Sequence, residues 1–461
     1  MTAPPRALFL NPPGPRYLYR GTVCTYISKA RYVWKPKDFI LMSGRVPADW
    51  DLRFVDAAIR GLDVEETLRL AREADAERIS LALSSITWDR DLAFLKRLRE
   101  AEPKAHLTVL GEALLEPGYA ELARPFCDAV LYNPVTYDVA RPDFPALPER
   151  ALKAGEAVDL GAPRHALFDH RRYRWPFNRH FRYAAVYTQY GCPYSCSYCT
   201  ESITSVGWRP AAGVLEELKD LKRQGYRELH LGDASFGFPK ANAMALLQGM
   251  VDAKLGFSWS CYTYPALADR GMLELMKASG CHTLVIGIDS ADIEMLRKYG
   301  RRLTAEQLQR FLKDCRELKL DVCGDIILGF DEDTEESMRR TVDLALASGL
   351  AYASINIATP LFGSSLRERA RKEQRLAAQS HGFDTAGNAI LGNARVGPER
   401  LRAIRREANR AFYLRGSYLW RRLRGIRGLE HLAIQALEGS ALVENYFRHL
   451  VGTSASLRPG E

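Results

Sequence analysis

Between residues 183 and 365 one pattern recurs six times: a short apolar run, then a longer run with apolar residues at helical spacing. The strand-like runs are 183–188, 228–231, 258–262, 283–288, 321–327 and 353–357, and helical patterns fall at 212–224, 241–253, 270–279, 304–318 and 333–348. Strands alternating with helices predict a parallel sheet covered by its own crossovers. Six units in a row predict a partial (β/α)6 barrel, which gathers its working groups at the carboxyl ends of the strands.

A shorter α/β block precedes it. Apolar runs begin at Ala7, Leu52, Ile79, His106 and Ala129, with helical patterns near 64–71, 89–101 and 117–125. About 140 residues of this kind predict an open, doubly wound, Rossmann-like domain, with ligands bound beyond the carboxyl ends of its strands. Those ends carry Asn11, Asp56, Ser84, Ser85, Gly111 and Glu112. Residues 141–180 continue an irregular Pro-, Arg- and Asp-rich stretch and read as a linker that wraps back on the body. The expected organisation is therefore a first domain over 1–140, a linker over 141–180, a barrel over 181–367 and a helical region over 368–461.

Immediately after the first barrel strand stand Cys192, Cys196 and Cys199, spaced C-x-x-x-C-x-x-C. Three thiolates so close suit one soft metal centre, above all an iron–sulfur cluster. A structural zinc site wants four ligands, usually in two pairs, and neither His180 nor His230 completes such a pattern. The next cysteine is Cys261, so a cluster here would keep one iron open to a substrate or cofactor. The chain has nine cysteines, an odd number, and begins without a signal-peptide pattern, which argues against a disulfide framework and for the cytoplasm.

The net charge of +9 is concentrated. Residues 401–430 hold nine arginines against Glu407 and Glu430. Leu401, Ile404, Ala408, Ala411, Phe412, Leu419 and Leu423 recur at near-helical spacing, so one face is expected to pack on the body. The basic face then reads as solvated, with a peripheral anionic membrane surface over 401–427 or an acidic substrate as the sharper alternatives. No interleaving of basic and aromatic residues points to a nucleic acid.

The cysteine loop and the motifs behind it resemble the radical S-adenosylmethionine (SAM) superfamily. Tyr198 is the aromatic residue before the last cysteine, Gly232-Asp233 ends the second barrel strand, and Gly287-Ile288-Asp289-Ser290 resembles the family's G-I-E-S. Ile327-Leu328-Gly329-Phe330-Asp331-Glu332-Asp333-Thr334 resembles I-x-G-x-P-x-E-T with Asp331 in place of proline, and Thr359-Pro360-Leu361-Phe362-Gly363-Ser364 resembles T-P-x-P-G-T. The first block resembles the cobalamin-binding domain of one branch of that superfamily, through Leu10-Asn11-Pro12-Pro13, Val55-Asp56-Ala57, the run 83–87 and Leu110-Gly111. It departs from that branch at Glu112 and at Asn133-Pro134-Val135-Thr136, and it lacks D-x-H-x-x-G.

The resemblance implies a 4Fe–4S cluster on Cys192, Cys196 and Cys199, and SAM contacts from Tyr198, Asp233, Asp289, Ser290 and Ile327. It implies cobalamin contacts from Ser84, Ser85, Thr87, Gly111 and Glu112. The implied reaction is methylation of an unactivated carbon through a 5′-deoxyadenosyl radical, on a small or lipid-like substrate, with electrons from a flavodoxin or ferredoxin. The same cofactors also serve cyclisation, rearrangement or oxidation. A non-catalytic iron–sulfur module and an RNA methylthiotransferase are the further alternatives. The last needs a second cluster in the first domain, where only Cys24 and Cys127 are available.

Overall fold

The computed structural model describes residues 4–28, 32–140, 155–376, 381, 393 and 395–450. Two parallel sheets organise them. The first is built from β1 (Arg6–Asn11), β2 (Asp51–Asp56), β3 (Arg78–Ala82), β4 (His106–Leu110) and β5 (Ala129–Leu131), in the order β2-β1-β3-β4-β5. That order reverses between β1 and β3, which makes their carboxyl ends the topological switch point. One face of the sheet packs Leu8, Leu10, Ile79, Leu81, Leu107 and Val109 against helices Val64–Ala74, Trp88–Ala101 and Pro117–Ala123.

The other face is closed unlike a free-standing doubly wound domain. Phe9 meets helix Lys37–Gly44, Tyr137 and, beyond them, Phe168, Tyr173 and Trp175 of the linker. Helix Lys37–Gly44 is absent from the sequence expectation because every residue from Lys37 to Ser43 is buried. A helix buried all round shows no polar–apolar period.

The second sheet runs β6 (Tyr183–Val186), β7 (Glu228–Phe236), β8 (Ser258–Thr263), β9 (Cys281–Asp289), β10 (Asp321–Leu328) and β11 (Tyr352–Ile357). All pairings are parallel, neighbours in space are neighbours in sequence, and β6 and β11 form the two edges. The expected strands and helices are all present within a few residues, except that β6 stops at Val186 and Gln189–Tyr190 forms a separate short strand. The outer apolar layer under the helices is one continuous core. The inner face is filled by the linker: Trp175 stacks on His230 at 3.6 Å and its Nε1 donates to Ser260 Oγ (3.0 Å).

Two buried charge pairs join the sheets. Arg367 donates to both carboxylate oxygens of Glu116 while its guanidinium lies 3.7 Å from the Phe362 ring, and Lys37 pairs with Glu201 at 3.0 Å. The expected packing of the basic tail is half right. Leu401, Ile404, Ala408 and Phe412 of helix Pro398–Tyr413 are buried, whereas Leu419 and Leu423 of helix Gly416–Arg424 face solvent. The expected loop near 380–397 lies largely outside the described residues.

Lys35, in the strap before helix Lys37–Gly44, is only 1% exposed, and its Nζ meets the rings of Tyr183 and Tyr226 at 5.2 and 5.6 Å rather than a carboxylate. Burial pulls its pKa down to about 7. The unfolded chain therefore holds this proton more tightly, and the penalty on folding grows as pH falls from the unfolded pKa towards 7. Lys35→Met is expected to raise the melting temperature, and by more at pH 6.5 than at pH 9.5. Equal gains at both values in a calorimetric scan would contradict a buried ammonium.

Candidate active site

The cysteine loop leaves β6 and is held from three sides by main-chain groups. Ser197 N donates to Tyr299 O (2.9 Å), Leu366 N donates to Ser197 O (2.8 Å), and Thr200 Oγ1 donates to Phe362 O (2.9 Å). Two glycines permit that closeness. A Cβ on Gly191 would sit 2.0 Å from Ser205 O and one on Gly300 would sit 2.8 Å from Ser195 O, and both have positive φ. Cys196 is buried while Cys192 and Cys199 are half-buried. Burial pushes the Cys192 thiol up to about 12 and raises Cys196 and Cys199 as well, so the bare loop keeps its protons. Metal binding would displace them.

Among the described residues, no three His, Cys, Asp or Glu side chains are gathered to hold a single metal ion, this triple included. Cys24 lies by Glu112 at the carboxyl end of the first sheet, whereas Cys127 precedes β5 at the amino end. The two lie at opposite ends and do not form a second ligand set.

Facing the loop is a charged group that the sequence reading did not include. Arg301 pairs with Asp289 (Nε to Oδ2, 2.8 Å), donates to Gly287 O and stacks 4.4 Å from the centre of the Tyr264 ring. Tyr198 Oη donates to the same Asp289 oxygen (2.9 Å). Burial, with Asp289 next to it, pushes the Tyr198 phenol well up, so it stays a donor. Both Arg301 and Tyr198 lie near enough to Cys196 to favour its thiolate. Asp289 itself has φ +61°, an uncommon conformation outside glycine that turns its carboxylate back towards the loop.

The other expected SAM contacts divide. Ile327 and Tyr198, both half-buried, meet in one small apolar cluster with the buried Tyr299 and Phe330, and Tyr198 packs on Phe330 at 5.4 Å. Asp233 is fully buried and accepts from Thr188 N (2.7 Å), Thr188 Oγ1 (2.5 Å) and Gln189 N (3.0 Å), so it orders the turn that leads into the cysteine loop. Ser290 is 1% exposed, and its hydroxyl pairs with Thr341 Oγ1 (3.2 Å) and accepts from Asp292 N. Both side chains are engaged within the protein. Asp331, at the position where the related motif has proline, is clamped by Arg369 (3.0 Å) and Arg375 (2.8 Å).

Deeper in the sheet lies Asp325. It shares the inner face with Cys323, two residues earlier, and pairs in register with Gly287 and Ser354. Burial raises its carboxyl to about 7, and the nearby Asp289 adds to the shift. Its signal in sequence is an acid in the middle of the apolar run of β10, which is indistinguishable from an ordinary strand interruption.

The five expected cobalamin contacts all gather at the switch point. Glu112 accepts from Ser85 N (2.8 Å) and Thr25 Oγ1 (2.7 Å), Ser84 N donates to Asp91 (2.8 Å), and Thr87 Oγ1 meets Arg20 (3.3 Å). The sequence reading did not include the centre of this network, the fully buried Arg20–Asp91 pair. Among the described residues Asn11 Oδ1 is buried there without a partner. That polar atom fits a ligand at the switch point, whereas the Ser85 side chain also lies within reach of Glu112. Gly111 has φ +146°, and a Cβ on it would sit 2.1 Å from Leu83 O. Gly111→Ala is therefore expected to cost roughly 3 kcal/mol or more, because main chain blocks the methyl group. A shift in unfolding midpoint of under about 1 kcal/mol would show that the crevice yields.

Comparisons with known proteins agree with this geometry. Residues 186–345 match the radical SAM superfamily model. An uncharacterized methyltransferase of Pyrococcus horikoshii is 28% identical over 267 residues, which are 55% of this chain and 58% of that protein, so the chain spans under two thirds of that relative. The solved methyltransferase TsrM from Kitasatospora setae, with cobalamin and a [4Fe-4S] cluster bound, superposes with a TM-score of 0.58 at 18% identity, over 89% of this chain and 82% of TsrM. The cobalamin-dependent radical enzyme OxsB, with aqua-cobalamin and S-adenosylmethionine bound, gives 0.62 at 11% identity over 98% of this chain and 73% of its own. At such identities the likeness is one of fold, and it takes in both sheets. Residues 186–345 accordingly carry a radical SAM domain, and the fold of the chain is similar to that of the solved enzymes TsrM and OxsB.

Proposed function

We propose that the protein is a cobalamin-dependent radical SAM methyltransferase acting on an unactivated carbon of a small molecule. The observation that carries this is one wall shared by two sites: the cysteine loop and the first domain's switch point are joined through the buried Glu116–Arg367 and Lys37–Glu201 pairs. When bound, the cluster and SAM supply a carbon-centred radical oxidant, and cobalamin supplies a methyl group.

The rest belongs to the chain's own residues. Cys192, Cys196 and Cys199 would hold the cluster and supply only three thiolates to it. Arg301 presents a guanidinium for the SAM carboxylate, and Asp289 fixes the plane of that guanidinium. Tyr198 and Ile327, packed with Phe330, offer an apolar surface for the adenine. Trp175 and Tyr262 pack edge to face at 5.8 Å and, with Trp34, shut the inner end of the lumen against water. Asp325 has a carboxyl that can hold or release a proton near neutrality. Asp325→Asn is expected to flatten the pH dependence of turnover around pH 7, and an unchanged profile would remove Asp325 from proton transfer.

The deciding experiment loads the full chain anaerobically with iron, sulfide and cobalamin. It then supplies reductant and SAM with a deuterated methyl group, in the presence of a small-molecule extract. The proposal expects retained cobalamin, both 5′-deoxyadenosine and S-adenosylhomocysteine, and deuterated methyl on carbon. Formation of 5′-deoxyadenosine without S-adenosylhomocysteine would mean radical chemistry with no methyl transfer. Neither product would leave an iron–sulfur binding module.

A further inference from the structure

The cysteine loop occupies the carboxyl ends of the second sheet, and the amino ends hold a second concavity. A cavity of about 360 Å³ opens between the starts of β9, β10 and β11 and the tail segment 421–431. Among the described residues, seven arginine and lysine side chains line it, and Asp321 is its one carboxylate. Cavities that take small ligands begin at about this size, around 300 Å³.

The cations come from separate elements, so no single amphipathic helix accounts for them. Arg179 precedes β6 and lies 3.9 Å from Asp321. Lys277 ends helix Arg270–Ala278, and its Nζ donates to Lys319 O (3.0 Å). Arg421 donates to Gly349 O (2.8 Å) and Leu350 O (2.7 Å), which pins the tail under the barrel and leaves its buried Nε without a partner. Arg422 donates to Tyr352 Oη. The nearby acids do not balance this charge. Glu430 is taken by His180 (2.8 Å), and burial raises the Glu438 carboxyl to about 8. His431 also lines the cavity; burial, and then the surrounding arginines, pull its pKa down to about 4. Like charges held this close oppose folding, and a bound anion offsets that repulsion.

We infer that this cavity at the amino end of the barrel binds a phosphate-bearing ligand, at a site separate from the reaction centre. Arginine clusters match phosphate oxygens geometrically, and an enclosed volume favours a compact diphosphate over an extended polyanion. The phosphate has two sources: a free phosphorylated metabolite or a lipid headgroup. Beside the tail segment, Leu419, Trp420, Leu423 and Leu429 are 51%, 58%, 62% and 85% exposed, a surface that suits an anionic bilayer.

The test uses the full chain. Pyrophosphate is titrated by calorimetry and by thermal shift, and sedimentation is measured with phosphatidylglycerol and phosphatidylcholine vesicles. Lys277→Gln/Arg427→Gln removes two cations whose side chains are exposed, so the fold should persist. Arg406→Gln, on the exposed face of helix Pro398–Tyr413, removes one surface cation away from the cavity and is the control. The expected result is binding of pyrophosphate, or of phosphatidylglycerol vesicles in preference to phosphatidylcholine. The double variant should weaken it by about tenfold or more, with the control unchanged. Pyrophosphate binding assigns a soluble ligand, and vesicle binding alone assigns a headgroup. No binding of either probe overturns the inference, as does equal weakening by Arg406→Gln.

Discussion

Replacing any one of Cys192, Cys196 or Cys199 with alanine is expected to abolish 5′-deoxyadenosine formation while leaving the protein folded. The loop's shape does not depend on the thiols. It rests on main-chain bonds from Ser197 and Leu366, on the Thr200 hydroxyl, and on the close approach of Gly191 and Gly300. Cys192 and Cys199 are half-buried, so removing a sulfur there opens little cavity, and unfolding midpoints should move by less than about 1 kcal/mol. Cys196 is more enclosed and should cost somewhat more. Activity should respond far more steeply. A three-thiolate site has no spare ligand, and the chemistry it supports has no route without the cofactor, so a loss of roughly a thousandfold or more is expected. The cluster's visible absorption should disappear with the activity. Retention of both in a single variant would mean that another group completes the site.

The contrast with Asp233 and Ser290 shows what the sequence could and could not reveal. Both follow strands in motifs that resemble SAM-contacting ones, and both prove to be engaged within the protein, Asp233 with Thr188 and Gln189 and Ser290 with Thr341. Short polar residues after strands cap turns as readily as they bind ligands. The β/α alternation was legible because half-exposed helices and buried strands carry different periods. Helix Lys37–Gly44, buried on every side, carried no such signal. The same limit hid Arg20 and Asp91, which are distant in sequence and become a pair only when the Leu18–Tyr19 and Tyr26–Ile27 hairpin folds over the first sheet.

The tail misled in a different way. Its arginines read as one solvated face, yet several of them reach the main chain of other elements: Arg405 to Ile355 O, Arg415 to Leu346 O, Arg421 to Gly349 O. Arg415 and Arg421 anchor the tail beside the amino end of β11. Composition counts charges but does not say which carbonyls they meet. Among the described residues no helix is long and apolar enough to cross a membrane.

Arg301 carries the second large effect, and its two roles can be separated. Arg301→Ala should raise the KM for SAM by about 10- to 100-fold, the size of one or two charged hydrogen bonds lost. It should also destabilise the fold, because Asp289 is only 5% exposed and would be left without its cation, a loss of about 3–5 kcal/mol. A simple affinity measurement on that variant would mix the two. Asp289→Asn in the same chain removes the stranded charge. Arg301→Met/Asp289→Asn should therefore recover most of the melting temperature while SAM binding stays weak. Arg301→Lys should keep the charge but lose the planar fork, giving an intermediate KM with near-normal stability. If the double variant recovers SAM affinity together with stability, Arg301 serves only to neutralise Asp289, and the carboxylate of SAM must be held by another group.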